Sequence, residues 1–295
     1  MEHRMQHEKD KERKNGWING FIGMLIFSGS LPATKAAVLG FEPLFLTAAR
    51  ASIAGLLSLL MLLLYKEKLP TFKQWVSLTV VSLGVVVGFP LLTAIALQKI
   101  TSAHSLVFLA LLPLSTAIFA VIRGGEKPRP IFWLFSIIGS LLVMGYALSQ
   151  GGVSSISADL LMIASVIVCG LGYAEGATLT KSLGGWQVIC WALIVSLPPM
   201  LILSFILMPE ELTTINLSAW VGLGYVSLFS MLIGFIFWYK GLSQGGIAAV
   251  GQLQLLQPFF GLALAAVLLN ESVNLLMLLV TVGVIFCVAG SRKYA

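Results

Sequence analysis

The sequence predicts an all-α polytopic membrane protein, ten transmembrane helices arranged as two inverted five-helix repeats, and three observations carry that expectation. Of 295 residues, 58% are hydrophobic and 10% charged, with a mean hydropathy of +0.97; a soluble domain carries roughly 25% charged residues. The apolar residues come in runs of about twenty, the length at which a helix rising ~1.5 Å per residue crosses ~30 Å of hydrocarbon. The chain also matches itself. A gapless shift of 145 residues lays Trp75-Val76 on Trp220-Val221, Val81-Ser82-Leu83 on Val226-Ser227-Leu228, Ala103 on Ala248, Pro113 on Pro258, Glu126 on Glu271 and Gly145 on Gly290. A leucine-rich chain matches itself partly by chance, but coincident Trp, Pro and Glu are not explained that way.

Polar, glycine and proline punctuation divides the runs into spans at 17–38, 43–65, 75–97, 103–123 and 130–149, then 158–179, 186–208, 218–240, 246–269 and 273–291. Residues 1–15 form a charged leader, 16–150 the first repeat and 151–295 the second. The first span follows basic residues as a signal peptide would, but it is too long for an h-region and further spans follow, so it is expected to remain as a helix. All but three of the 18 Lys and Arg residues fall on the leader's side of this arrangement; Lys35 and Lys99 lie opposite and Arg50 within a span. The positive-inside bias then places both termini in the cytoplasm. Trp17, Trp75, Trp133, Trp186 and Trp220 sit near span starts, where indole rings anchor at the interface. Five is odd, so the second half enters the membrane upside down relative to the first. Secondary transporters use such inverted repeats to alternate access around a midplane site.

The residues also resemble a known family, the EamA-type transporters of the drug/metabolite transporter (DMT) superfamily. The resemblance covers nearly the whole chain after the leader. It rests on Ala33-Thr34-Lys35-Ala36-Ala37, Gly40, Pro43, Arg50, Ala54-Gly55, Thr101-Ser102-Ala103, Pro113 and Gly125-Glu126, with Ala248, Pro258 and Asn270-Glu271 in the second half. It implies a two-repeat carrier that exports amino acids, other metabolites or toxic compounds from a cavity lined by spans 1, 3, 4 and their mates 6, 8, 9. Arg123 departs from the apolar approach to Gly-Glu, which predicts an earlier end to the fourth span.

Charge within a span is costly and marks functional candidates. Two residues qualify clearly. Arg50 is read as a structural charge that snorkels or pairs with an outer acid such as Glu42 or Glu271. Glu175, about 9 Å of helix rise from Lys181, is either an acid that carries a proton from within the bundle or one that simply reaches the cytoplasmic interface, and protons are the candidate coupling ion. In the ninth span Gly251, Gln254, Gln257, Pro258 and Gly261 share one side, and Pro258 frees the carbonyl of Gln254. Pro113 does the same near Leu109, so both prolines are read as hinges. Against this stands a bland reading, kinks that shape packing with glutamines bonded across helices. His104 and Phe108 in span 4, Tyr173 in span 6, Ser230 and Trp238 in span 8, and Ser28 in span 1 complete the candidate substrate-binding set with the two glutamines. Lys35 shares the face of Ser28 and Pro32 and is read as structural. The Gly-x-x-x-Gly pairs Gly84 to Gly88 and Gly172 to Gly176 are read as close helix packing.

Other classes fit poorly. Basic residues confined to short loops argue against a nucleic-acid partner. Cys169, Cys190 and Cys287 lie in apolar runs without metal spacing, so no metal or cofactor is expected. Neither a Walker motif nor a nucleophile elbow is present, and one isolated acid does not make an intramembrane enzyme. The expectation is a carrier in a bacterial cytoplasmic membrane, bathed in lipid, that exports small amphipathic or zwitterionic metabolites, amino acids first. A multidrug exporter of hydrophobic cations is the alternative, and a non-transporting receptor or scaffold a further one.

Overall fold

In the computed structural model, which describes residues 2–149, 155–261, 263 and 275–295, all regular structure is helical. In hydrocarbon a backbone amide has no water to bond, so each apolar run closes its own hydrogen bonds. The leader is continuous with the first run as α1 (Glu2–Ser28), followed by α2 (Ser30–Ala37) and α3 (Pro43–Leu64). Then come α4 (Phe72–Val81), α5 (Phe89–Lys99), α6 (Ser102–Leu109), α7 (Leu112–Gly124) and α8 (Pro130–Ser149). The second half holds α9 (Ile156–Leu183), α10 (Gly185–Ile206), α11 (Leu217–Tyr225), α12 (Gly234–Gly245), α13 (Ile247–Gly251) and α14 (Leu275–Tyr294).

Among the described residues, 8 stretches are long and apolar enough to cross a bilayer. The first and ninth expected spans are not among them. The first shares α1 with the charged leader and is interrupted at Gly29; the ninth runs on into residues outside the described set. Asn270 and Glu271 also lie outside it. The fourth expected span continues through Arg123 to Gly124, where Gly125, at a left-handed φ of 68°, ends it.

Among the described residues five interruptions break the apolar runs, and proline accounts for most of them. Pro32 has no N–H for the Ser28 carbonyl, and the helix restarts after Gly29. Pro90 follows a π-helical segment, Ser82–Gly88, in which Phe89 N–H reaches back to the Gly84 carbonyl. Pro113 follows the turn at Ala110-Leu111 between α6 and α7. Pro258 follows a 3-10 segment, Gln252–Leu256, and the Gln254 carbonyl it frees accepts instead from Gln257 N–H. The fifth, a π segment at Val226–Ile233, has no proline behind it; Gly234 N–H bonds the Phe229 carbonyl. A shift of 145 residues carries Ser82 onto Ser227 and Ala110-Leu111 onto Leu255-Leu256, within the second π segment and the 3-10 segment.

Small residues let the spans approach closely. α1 packs along α12, and a Cβ on Gly241 would lie 2.5 Å from the backbone nitrogen of Gly20. The π segment after α4 lies on α9 in the same way: a Cβ on Gly84 would meet the Val168 carbonyl at 2.6 Å and Gly172 Cα at 3.1 Å. The two Gly-x-x-x-Gly pairs therefore meet through Gly84 and Gly172.

Candidate functional site

The five interruptions surround one cavity. Phe27 and Ser30 flank the break at Gly29, Val85 belongs to the first π segment, and Leu109 and Leu112 flank the turn before Pro113. Ser230 comes from the second π segment and Gln257 follows the 3-10 turn; all of these line a small cavity of about 40 Å³. That is well below the ~300–1,000 Å³ of small-molecule sites. Irregular backbone is tolerated at membrane depth only where protein buries it or it lines a cavity, which is the arrangement here.

The broken first run exposes carbonyls that side chains from other spans satisfy. Tyr225 Oη donates to the Ile26 carbonyl at 2.6 Å, and Gln257 Nε2 donates to the Phe27 carbonyl at 3.1 Å. Beside them Ser30 Oγ donates to Ser230 Oγ at 2.8 Å. Gln254 Nε2 donates to Tyr173 Oη at 3.1 Å, while its Oε1 is buried without a partner among the described residues. Thr34 and Thr93 add hydroxyls to the lining.

Among the described residues, Arg50 is the charged residue of the lining. It is 6% exposed, its Nη2 lies 3.5 Å from Ser230 Oγ, and its Nε has no partner among the described residues. The expected pairing with Glu42 does not form: Glu42 is exposed at the start of α3, about 12 Å of helix rise from Arg50. Glu271 lies outside the described residues. Arg50 thus faces the cavity instead of snorkelling out of it.

Of the candidate binding residues, Tyr173, Ser230 and Gln257 line the cavity. Other members of the set lie elsewhere. Trp238 is fully buried behind the lining, its ring 5.5 Å from that of Tyr173 and 5.9 Å from that of Phe27. Ser28 Oγ donates to the Met24 carbonyl at 3.0 Å. His104 Nε2 lies 3.0 Å from Asp159 Oδ1, and its ring packs edge-on against Phe108, away from the lining. Lys35 Nζ donates to the Leu97 and Ile100 carbonyls at the end of α5, where a cation satisfies the last carbonyls of a helix. Glu175 accepts from Arg123 Nε at 2.7 Å.

Sequence reasoning missed several of these relationships. Ser30 and Thr34 reach the cavity with the i, i+4 spacing of one helix face, a signal the sequence did carry. Glu126 takes both of its bonds from backbone: Ile247 N–H donates to Oε1 at 2.6 Å and Ala248 N–H to Oε2 at 2.8 Å, capping α13. Nothing local to Glu126 announces a partner 121 residues away.

The model of the EamA-like transporter family matches residues 14–148 and again 156–292. The chain belongs to that family. This EamA-like transporter is 63% identical over 281 residues to the uncharacterized transporter YdeK of Bacillus subtilis (strain 168), covering 95% of this chain and 98% of that protein. It is 27% identical over 218 residues to the uncharacterized inner membrane transporter YedA of Escherichia coli (strain K12), covering 72% and 69% of the two chains. A solved crystal structure with 18% sequence identity superposes on it with a TM-score of 0.78, over 96% of this chain and 100% of the other. Family and relatives make it a multi-pass membrane transporter, in keeping with the DMT superfamily.

Proposed function

We propose that this EamA-like transporter is a secondary carrier that exports small zwitterionic metabolites, amino acids first, by alternating access around the cavity at Arg50, Ser230 and Gln257. The observation that carries the reading is the convergence of all five helix interruptions on that cavity, because broken helices are where alternating-access carriers bind cargo and bend. Ten spans in two inverted repeats, 16–150 and 151–295, with both termini in the cytoplasm of a bacterium, supply the two conformations. The shift of 145 residues that relates the π segments and the turn before Pro113 to the 3-10 segment before Pro258 supports such a pairing. In this reading Pro113 and Pro258 are the hinges. Tyr173 and Gln257 touch cargo, and Trp238 and Gln254 support them from behind. Glu175 and Arg123 form a latch near the cytoplasmic end, so the driving gradient, protons included, acts through cargo or another group. A guanidinium in a lining that holds no carboxylate among the described residues argues against hydrophobic cations as cargo.

Counterflow in proteoliposomes tests the reading. Vesicles of purified protein preloaded with a mixture of unlabelled amino acids are expected to accumulate a labelled one transiently. Absence of accumulation for every amino acid, nucleoside and cationic dye offered would remove the carrier assignment.

A further inference from the structure

Removing a charge from water and leaving it unpaired is among the costliest arrangements available to a protein, and inside a membrane span it marks a ligand or a relay. Arg50 is so placed. The described acids are engaged elsewhere or lie at the ends of the bundle: Glu175 with Arg123, Asp159 with His104, Glu126 on the α13 amides, and Glu67 with Gln187. The Nε and Nη2 of a guanidinium form one side-on edge whose two donors match the two oxygens of a carboxylate. Among the described residues, the Arg50 Nε donor has no partner and the Nη2 donor has only the 3.5 Å contact to Ser230 Oγ. Ser230 Oγ is the acceptor of both Ser30 and Arg50, which leaves its own proton for a further acceptor. Three donors therefore converge on one wall of the cavity with no anion among the lining residues to receive them.

We propose that Arg50 is the residue that selects cargo by its carboxylate, gripping it side-on through Nε and Nη2 while Ser230 donates a third bond, so that the transported class is carboxylates and the group missing from the buried charge pair is supplied by the cargo. This rests on the carrier reading for its biological sense but not for its test. A carboxylate site would exist even in a protein that moved nothing.

The test uses matched pairs on the purified full-length protein, each amino acid against its own amide, with binding read from the thermal midpoint in detergent and flux read by counterflow. At least one acid is expected to raise the midpoint and to be transported, and its amide to bind roughly 10- to 100-fold more weakly, as expected for loss of charge-assisted hydrogen bonds. Arg50→Gln should bring the acid down to the level of the amide. Arg50→Lys, which keeps charge but loses the fork, should fall between, and Ser230→Ala should cost less than either. Amides that bind as well as their acids overturn the proposal, as does a monodisperse Arg50→Gln protein that binds the acid unchanged, or a wild-type protein that no carboxylate stabilises. Should Arg50→Gln not fold, the acid and amide pairs on the wild type and the Arg50→Lys variant decide. Arg50-dependent binding of the acid without flux would leave the site standing and remove the carrier reading. Flux of uncharged analogues as fast as acids would do the reverse.

Discussion

Arg123 Nε donates to Glu175 Oε2 across 2.7 Å and so joins the last turn of α7 to α9. The partners are unequally placed: the Glu175 side chain is 6% exposed and that of Arg123 48%. Water therefore screens one side of the pair and not the other, and its coupling should lie between exposed and buried pairs, about 1–2 kcal/mol. Glu175→Gln and Arg123→Gln are each expected to lower the melting midpoint. The double variant should cost less than the sum of the two, measured by unfolding in detergent. Because the carboxylate is already engaged, Glu175→Gln is also expected to leave stimulation of transport by a pH gradient in place. Loss of that stimulation with unchanged insertion would instead make Glu175 the proton carrier.

The membrane-spanning character and two of the helix breaks were legible in the sequence, because hydropathy and proline act locally, but the break at Gly29 and the two π segments were not. Pro113 and Pro258 predicted disturbed backbone at Leu109 and Gln254, and α6 ends at Leu109 while Gln254 lies in a 3-10 turn. Partnerships were not legible. Arg123 stood out as a departure and Glu175 as a lone acid, yet they bond one another; His104 was read as a binding residue, yet it meets Asp159. Such pairs depend on how α7, α6 and α9 rotate about their axes, which side-chain volumes across the whole bundle decide. Arg50 shows the limit most clearly: its depth could be counted along α3, but the face it presents could not.

The approach of Gly84 to α9 leaves no room for a methyl group, since the nearest atoms are the Val168 carbonyl oxygen and Gly172 Cα, which belong to backbone and cannot rotate away. Gly84→Ala is expected to destabilise the protein by about 1–3 kcal/mol, the usual cost of overpacking. Gly224→Ala is the control, because a Cβ there meets nothing within 4 Å. It should be neutral or stabilising by about 0.5–1 kcal/mol from helix propensity alone. Comparable losses at the two positions would show that backbone proximity is not the cause.

Glu126 satisfies two amides that the start of α13 would otherwise leave without partners. Removing such a cap usually costs about 0.5–2 kcal/mol, so Glu126→Ala should fall in that range. Glu126→Gln should cost less, since its amide keeps one carbonyl oxygen. Hydrogen exchange locates the effect: the amides of Ile247 and Ala248 should exchange faster in Glu126→Ala than in the parent, while those of α9 are unchanged.

Gln257 and Gln254 allow a binding role to be tested against a supporting one within one turn of helix. Gln257 lines the cavity and bonds the Phe27 carbonyl at the end of α1; Gln254 lies off the lining and bonds Tyr173. Substitution by Leu removes one bond in each case and leaves a buried partner unsatisfied, a loss of about 1–3 kcal/mol. Both variants should therefore lower the midpoint by similar amounts. Transport should distinguish them, because Gln257→Leu also changes the wall that cargo meets and loosens the break at Gly29. Counterflow per molecule of correctly inserted protein is expected to fall further in Gln257→Leu than in Gln254→Leu. Equal flux in the two would place cargo away from Gln257 and limit both glutamines to holding the helices together.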